Sequence, residues 1–179
     1  MKKIILLILF GISLTGCFNN KDFPYNPEGY RPIYLSRAEI EKVVFTTPQP
    51  LKSPGKIYTK DGFLFVNEGG KGVHVFDNKD PVNPTKIAFY EIPGNVDTAI
   101  KGSILYADNG RDLLSIDVTN PKEAKILNRL KDVFPNQEFP LNTGVNFECV
   151  DNSKGIVIGW EKVTSNSKNY NSSKFNCYR

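Results

Sequence analysis

The sequence predicts a mainly-β protein, and three observations carry that reading. The first is a unit written twice. Residues 62–66 (Gly-Phe-Leu-Phe-Val), 72–77 (Gly-Val-His-Val-Phe-Asp), Asp80-Pro81 and Lys86-Ile87 return as residues 102–107 (Gly-Ser-Ile-Leu-Tyr-Ala), 112–117 (Asp-Leu-Leu-Ser-Ile-Asp), Asn120-Pro121 and Lys125-Ile126. Asp117 follows Asp77, and Pro121 follows Pro81, at the same interval of 40 residues. The second is that the apolar runs are strand-length and bounded by Gly, Pro, Asn and Asp. The third is that a helix signature is confined to one short stretch near residue 37. A period of about 40 with several short strands per unit is the spacing of propeller blades. The expected fold is therefore a set of partial, propeller-like β blades, about two to three antiparallel units, with one short N-terminal helix.

Taken in order, Lys2 and Lys3 form a positive start, and residues 4–14 are an apolar run of about 11, short for a bilayer span of about 20 but suited to a secretory signal. Leu14-Thr-Gly-Cys17 follows. That tetrapeptide resembles the lipobox of bacterial lipoproteins, which implies cleavage before Cys17 and acylation of its thiol and amine. The competing reading is a plain signal peptide with a chance cysteine. Two or more acyl chains give stable anchoring where one is marginal. The expectation is a signal peptide over 1–16, a lipidated tether over 17–32, a β domain over 33–163 and a polar tail over 164–179. The lipid would hold the protein in the cell envelope, with the outer membrane favoured because no Asp follows Cys17.

Within the domain, Ser36-Arg-Ala-Glu39 has capping-box spacing, so a helix is expected from Arg37 to about Lys42. Residues 43–45 suit a strand, residues 46–54 hold three prolines and suit a connector, and Pro54-Gly55 suits a turn. A hairpin is expected at Lys60-Asp61-Gly62, and residues 63–66 suit a strand buried on both faces. Residues 67–72 read as a flexible hairpin loop. Asp77 and Asp80, like Asp117 and Asn120, suit acceptance of turn amides, while Pro81 and Pro121 stop the sheet. A third unit is expected to begin at Cys149, with residues 155–160 as its strand.

Residues 72–84, with Asp77, Asp80 and Pro81, and residues 113–121, with Asp117, Asn120 and Pro121, resemble the LVIVD repeat, an apolar strand ending in Asp followed by a polar turn and Asp/Asn-Pro. Residues 54–58, 92–95 and 105–108 are similar to the N-terminal region of LVIVD-repeat lipoproteins of Gram-negative bacteria. The resemblance runs from the lipobox to about Trp160. It implies propeller-like blades and no activity, cofactor or catalytic residue. Family propellers are longer, so three explanations stand open for the short chain: a truncated remnant, capping by its own terminal segments, or completion by another copy or a partner.

Composition narrows the chemistry. The formal charge of +4 falls by two when Lys2 and Lys3 leave, and no basic stripe appears, so nucleic acid is not the expected partner. Cys149 and Cys177 are left after lipidation, either as a disulfide or as two free thiols. No metal site or cofactor is expected: His74 is the only histidine, and it reads as a structural residue in mid-strand. Glu68, Asp97, Asp108 and Asp112 fall near loops and read as solvated turn acids; as paired carboxylates they would serve a glycan hydrolase, the alternative function. Residues 69–72 (Gly-Gly-Lys-Gly) join two strands and open no helix, which fails the context of a phosphate loop. Trp160 and Glu161 read as core and cap. The leading expectation is a non-enzymatic binding module with a protein or glycan partner, or with self-association that completes its sheets.

Overall fold

The computed structural model describes residues 28–164, 167 and 171–179. The expected signal peptide, Cys17 and most of the tether lie outside the described residues.

Among the described residues thirteen strands form three sheets. The chain opens with β1 (Glu28–Leu35), then α1 (Arg37–Ile40), whose capping box closes at both ends: Glu39 N–H donates to the Ser36 hydroxyl, and the Ser36 N–H donates to the Glu39 carboxylate. β2 (Val44–Thr46) follows, and after the proline-rich connector comes the meander β3 (Pro54–Lys60), β4 (Phe63–Glu68), β5 (Gly72–Asp77) and β6 (Thr85–Glu91). This first sheet has the order β2-β6-β5-β4-β3. The second is a four-stranded antiparallel meander, β7 (Thr98–Lys101), β8 (Ile104–Asn109), β9 (Asp112–Asp117) and β10 (Lys125–Leu130).

The repeat is thus two four-stranded meanders. Asp77 and Asp117 each accept a backbone N–H two residues on, from Lys79 and Thr119, and Asp80 and Asn120 do the same from Val82 and Lys122. The prolines differ: Pro81 is exposed, whereas Pro121 is buried at the start of a 3-10 turn and its carbonyl accepts from the Tyr90 hydroxyl at 2.6 Å, tying the first sheet to the second. The equivalence of Gly62 with Gly102 needs correction. The first hairpin turns through Asp61 and Gly62, both at positive φ (49° and 76°), as a two-residue primed turn requires. The second turns through Gly102 and Ser103, because Lys101 pairs with Ile104 as Lys60 pairs with Phe63. Gly102 therefore matches Asp61. The spacing of 40 is recovered because three residues separate Glu68 from Gly72 while only two separate Asn109 from Asp112.

The third sheet corrects three expectations. Its order is β12-β1-β11-β13, from β11 (Asn146–Phe147), β12 (Ile156–Thr164) and β13 (Cys177–Tyr178). β12 does not continue a third consecutive unit; it pairs antiparallel with β1, and β11 lies parallel to β1 with Tyr30 opposite Phe147. β1 begins inside the stretch expected to be tether, because Gly29 leaves room for the Phe175 ring against the strand. The expected polar tail is tied in as well: β13 pairs with β11, and a Cys149–Cys177 disulfide joins their flanks with the Cα atoms 5.3 Å apart. Two local expectations also shift. Pro54 and Gly55 open β3 rather than turning, which suits an edge strand. Asn67 and Glu68 belong to β4 and are buried, so the expected loop shrinks to residues 69–71.

The main core lies between the first two sheets: Phe65, Val73, Val75, Tyr90 and Ile92 face Leu105, Leu114 and Ile116. A smaller cluster in the third sheet packs Phe147 edge-on to Trp160 at 5.4 Å. All three sheets meet at turns. Gly70 N–H donates to the Asn95 carbonyl, Gly94 N–H to the Gly70 carbonyl and Gly110 N–H to the Gly94 carbonyl. A Cβ on Gly94 would lie 2.8 Å from Ile158, and one on Gly110 would lie 3.2 Å from Ile156, so β12 seats directly on glycine backbone.

Candidate functional site

Of the four acids expected at solvated turns, Glu68 and Asp112 are buried, Asp108 is half-buried and Asp97 is exposed, and all four are hydrogen-bonded. Asp112 opens β9 with its side chain fully buried. Arg37 of α1 donates to both its oxygens at 2.7 and 2.8 Å, Arg129 of β10 donates at 2.8 Å, and the Asp132 N–H donates at 3.1 Å. Burial pushes its pKa up, but the arginines and the backbone N–H outweigh burial and hold it below the usual carboxylate range. It is a clasp joining α1, β9 and β10.

Glu68 is 2 % exposed at the end of β4. The pairing of Glu68 with Gly72 puts it on the same face as His74, which is also buried, and His74 Nε2 lies 2.5 Å from Glu68 Oε2. Lys71 donates to the other oxygen at 2.8 Å. Burial again opposes ionisation, but Lys71, His74 and the Lys52 backbone N–H together lower the Glu68 pKa to about 2. The connector after β2 lies over this face: the Gln49 carbonyl accepts from Lys86, and Thr46 Oγ1 donates to the Phe89 carbonyl. Glu68 itself helps line a cleft of 520 Å³, together with Thr46, Gln49, Lys52, Lys71, Phe89 and Glu91 among others. His74 packs at a tilt against Phe89 with ring centroids 4.5 Å apart, and the Thr46 hydroxyl that lines the cleft is hydrogen-bonded to the Phe89 carbonyl rather than to His74 or Glu68.

Asp108 sits at the meeting point of the sheets. Its carboxylate accepts from the Val96 and Asp97 N–H groups at 2.8 and 3.0 Å and from Asn95 at 2.7 Å. Burial pushes its pKa up, and the nearby Asp97 charge adds to this against those donors. Asp97 is engaged by Lys56 and by the Thr98 N–H. The adjoining cleft of 250 Å³ is lined by Val96, Asp108, Phe134, Val157 and Ile158 among others, with Asp108 its single acid. Glycoside hydrolysis needs two carboxylates flanking one bond. The cleft beside Glu68 also holds Glu91, but Glu68 there is ion-paired with Lys71 and its pKa is lowered, while Asp108, whose pKa is raised, stands as the one acid of a different cleft.

Sequence reasoning missed the Glu68–His74 contact. The available signal was turn length: a three-residue turn over 69–71 makes Glu68 face Gly72 and sets it beside His74. It also missed an exposed apolar rim. β10 is the edge of the second sheet, with Ile126, Leu127 (57 % exposed) and Leu130 turned out, followed by exposed Val133 and Phe134. Further along the same connection, Phe139 and Leu141 are exposed. Residues 131–145 carry no strand or helix, a length that is uncommon in compact domains outside functional loops and linkers.

Among the described residues no helix is long and apolar enough to cross a membrane, and no cluster of three or more His, Cys, Asp or Glu residues is placed to hold a metal ion. No family model, curated protein or solved structure matches this chain.

Proposed function

We propose that this chain is a lipid-anchored, extracytoplasmic lipoprotein of the LVIVD-repeat kind, held at the outer membrane by Cys17, and that it acts as a non-enzymatic binding module for a protein partner. In this reading the two four-stranded meanders are propeller-like blades. The observation that carries the binding role is the apolar rim made of Ile126, Leu127 and Leu130 on the edge strand β10 and of Val133 and Phe134 just beyond it, where Phe134 lines the Asp108 cleft. A strand edge with outward apolar side chains is a surface that another chain can extend or cover. The Cys149–Cys177 disulfide suits an oxidising compartment. The internal use of Glu68 and Asp112 favours binding over hydrolysis, since those acids hold the fold.

The test is metabolic labelling with a fatty acid. Wild type is expected to incorporate label and partition with membranes, and Cys17→Ser is expected to lose both. Equal labelling and equal membrane partition of the variant would refute the anchor.

A further inference from the structure

The parallel pairing of β1 with β11 fixes which part of the domain stands where the chain enters. Tyr30 lies opposite Phe147, so Val145 is level with Glu28. Arg179 joins the same end: its N–H donates to the Val145 carbonyl at 3.2 Å, and its carbonyl accepts from the Val145 N–H at 3.3 Å. From there the Arg179 guanidinium reaches the Pro140 carbonyl and lies 4.2 Å from the centre of the Phe139 ring. Phe139 (48 % exposed) and Leu141 (84 % exposed) therefore hang at the Glu28 end of the third sheet. Asn136, earlier in the same connection, accepts from the Val157 N–H, and Val157 stands opposite Tyr34 at the other end of β1. Phe134, the Asp108 cleft and the Gly94–Gly110 turns belong to that other end, about 20 Å away along the strand.

Only residues 18–27 separate Cys17 from Glu28. Fully extended, they span about 35 Å. A bilayer that holds Cys17 is thus always within reach of the Glu28 end.

We propose that Phe139 and Leu141 form a second contact with the bilayer that carries the acyl chains, holding the domain with its Glu28 end down and its β10 rim and Asp108 cleft away from the membrane. This rests on the lipid-anchored reading of Cys17. An aromatic ring and a leucine at a loop tip, with a guanidinium at the base, match the boundary between acyl chains and headgroups, where apolar groups enter and cations stay among phosphates. Two side chains would not hold a free protein there. On a tethered one the contact is intramolecular, and the short tether supplies a high effective concentration.

The experiment places a nitrobenzoxadiazole reporter on Leu141→Cys, and separately on Val82→Cys, which is equally exposed. Each oxidised full-length lipidated chain is reconstituted in vesicles of phosphatidylethanolamine and phosphatidylglycerol, with or without shallow nitroxide lipid. The expected result is co-flotation of both chains, with emission from position 141 blue-shifted and quenched by the nitroxide, and emission from position 82 unchanged. Adding Phe139→Ser should weaken the quenching at 141 and leave flotation intact. Emission from 141 that matches 82 in floating vesicles overturns the membrane contact while leaving the anchor standing. A blue shift found in native envelopes but not in protein-free vesicles assigns the tip to a protein partner, and one that rises with protein concentration in detergent assigns it to a second copy; either overturns the proposal. Chains that do not float refute the anchor itself, and the membrane contact with it.

Discussion

Replacing Asp112 with alanine is expected to destabilise the domain by about 3–5 kcal/mol, the usual loss when one partner of a buried ion pair is removed. The carboxylate is completely buried, and three donors from α1, β10 and the Asp132 backbone converge on it. Alanine would leave Arg129, itself largely buried, without its counter-charge and would free the Asp132 N–H. Arg37→Ala should cost much less, because Arg37 is about a third exposed and screened by water, and Asp112 keeps Arg129 and the Asp132 N–H. Urea midpoints of the two variants provide the check. A loss below about 1 kcal/mol for Asp112→Ala would mean that the two arginines find other partners and that the clasp does not hold α1 to the second sheet.

Glu68→Gln should produce the second-largest effect, with a definite pH dependence. The folded-state pKa of Glu68 is about 2 against an ordinary 4.5, so the unfolded chain takes up this proton first as pH falls. The group's contribution is fully present above about pH 4.5 and is lost as pH falls to about 2; the shift corresponds to at most about 3 kcal/mol. The variant should therefore be less stable than wild type at neutral pH by up to that amount, and the two should converge near pH 2. Asp112 is also held below its usual range, so some acid sensitivity persists in the variant. Denaturant midpoints of both proteins between pH 2 and pH 7 measure the difference. A constant difference across that range would show that Glu68 is not the titrating group.

What the sequence disclosed was local. The Ser36–Glu39 capping box, the Asp61-Gly62 hairpin and the turn acceptors Asp77, Asp80, Asp117 and Asn120 each satisfy backbone groups within a few residues, so their spacing is visible in one line of text. What stayed hidden depends on distant partners. β1 pairs with β12 across most of the chain, and no periodicity in either segment announces it. Arg37 and Asp112 stand 75 residues apart. Nothing local to Gly94 or Gly110 marks them as the place where β12 docks. Glu68 read as a loop acid because Gly69 and Gly70 follow it. Its burial became legible only once the register put it beside His74 and the 46–54 connector covered that face. Of the three explanations left open for the short chain, capping by its own terminal segments has a counterpart here, since β1, β12 and β13 supply a third sheet.

The three sheets, joined at the Gly70–Gly94–Gly110 turns and closed by the Cys149–Cys177 disulfide, are expected to hold together without another chain. Amide hydrogen exchange on the oxidised full chain, read together with its molar mass by light scattering in detergent, tests it most directly. The predicted result is a monomer with strong protection in β4, β5, β8 and β9 and clear protection in β1 and β12. Weak protection across residues 62–135, or protection that appears only in an oligomer, would contradict it and show that the two meanders need another chain to be complete.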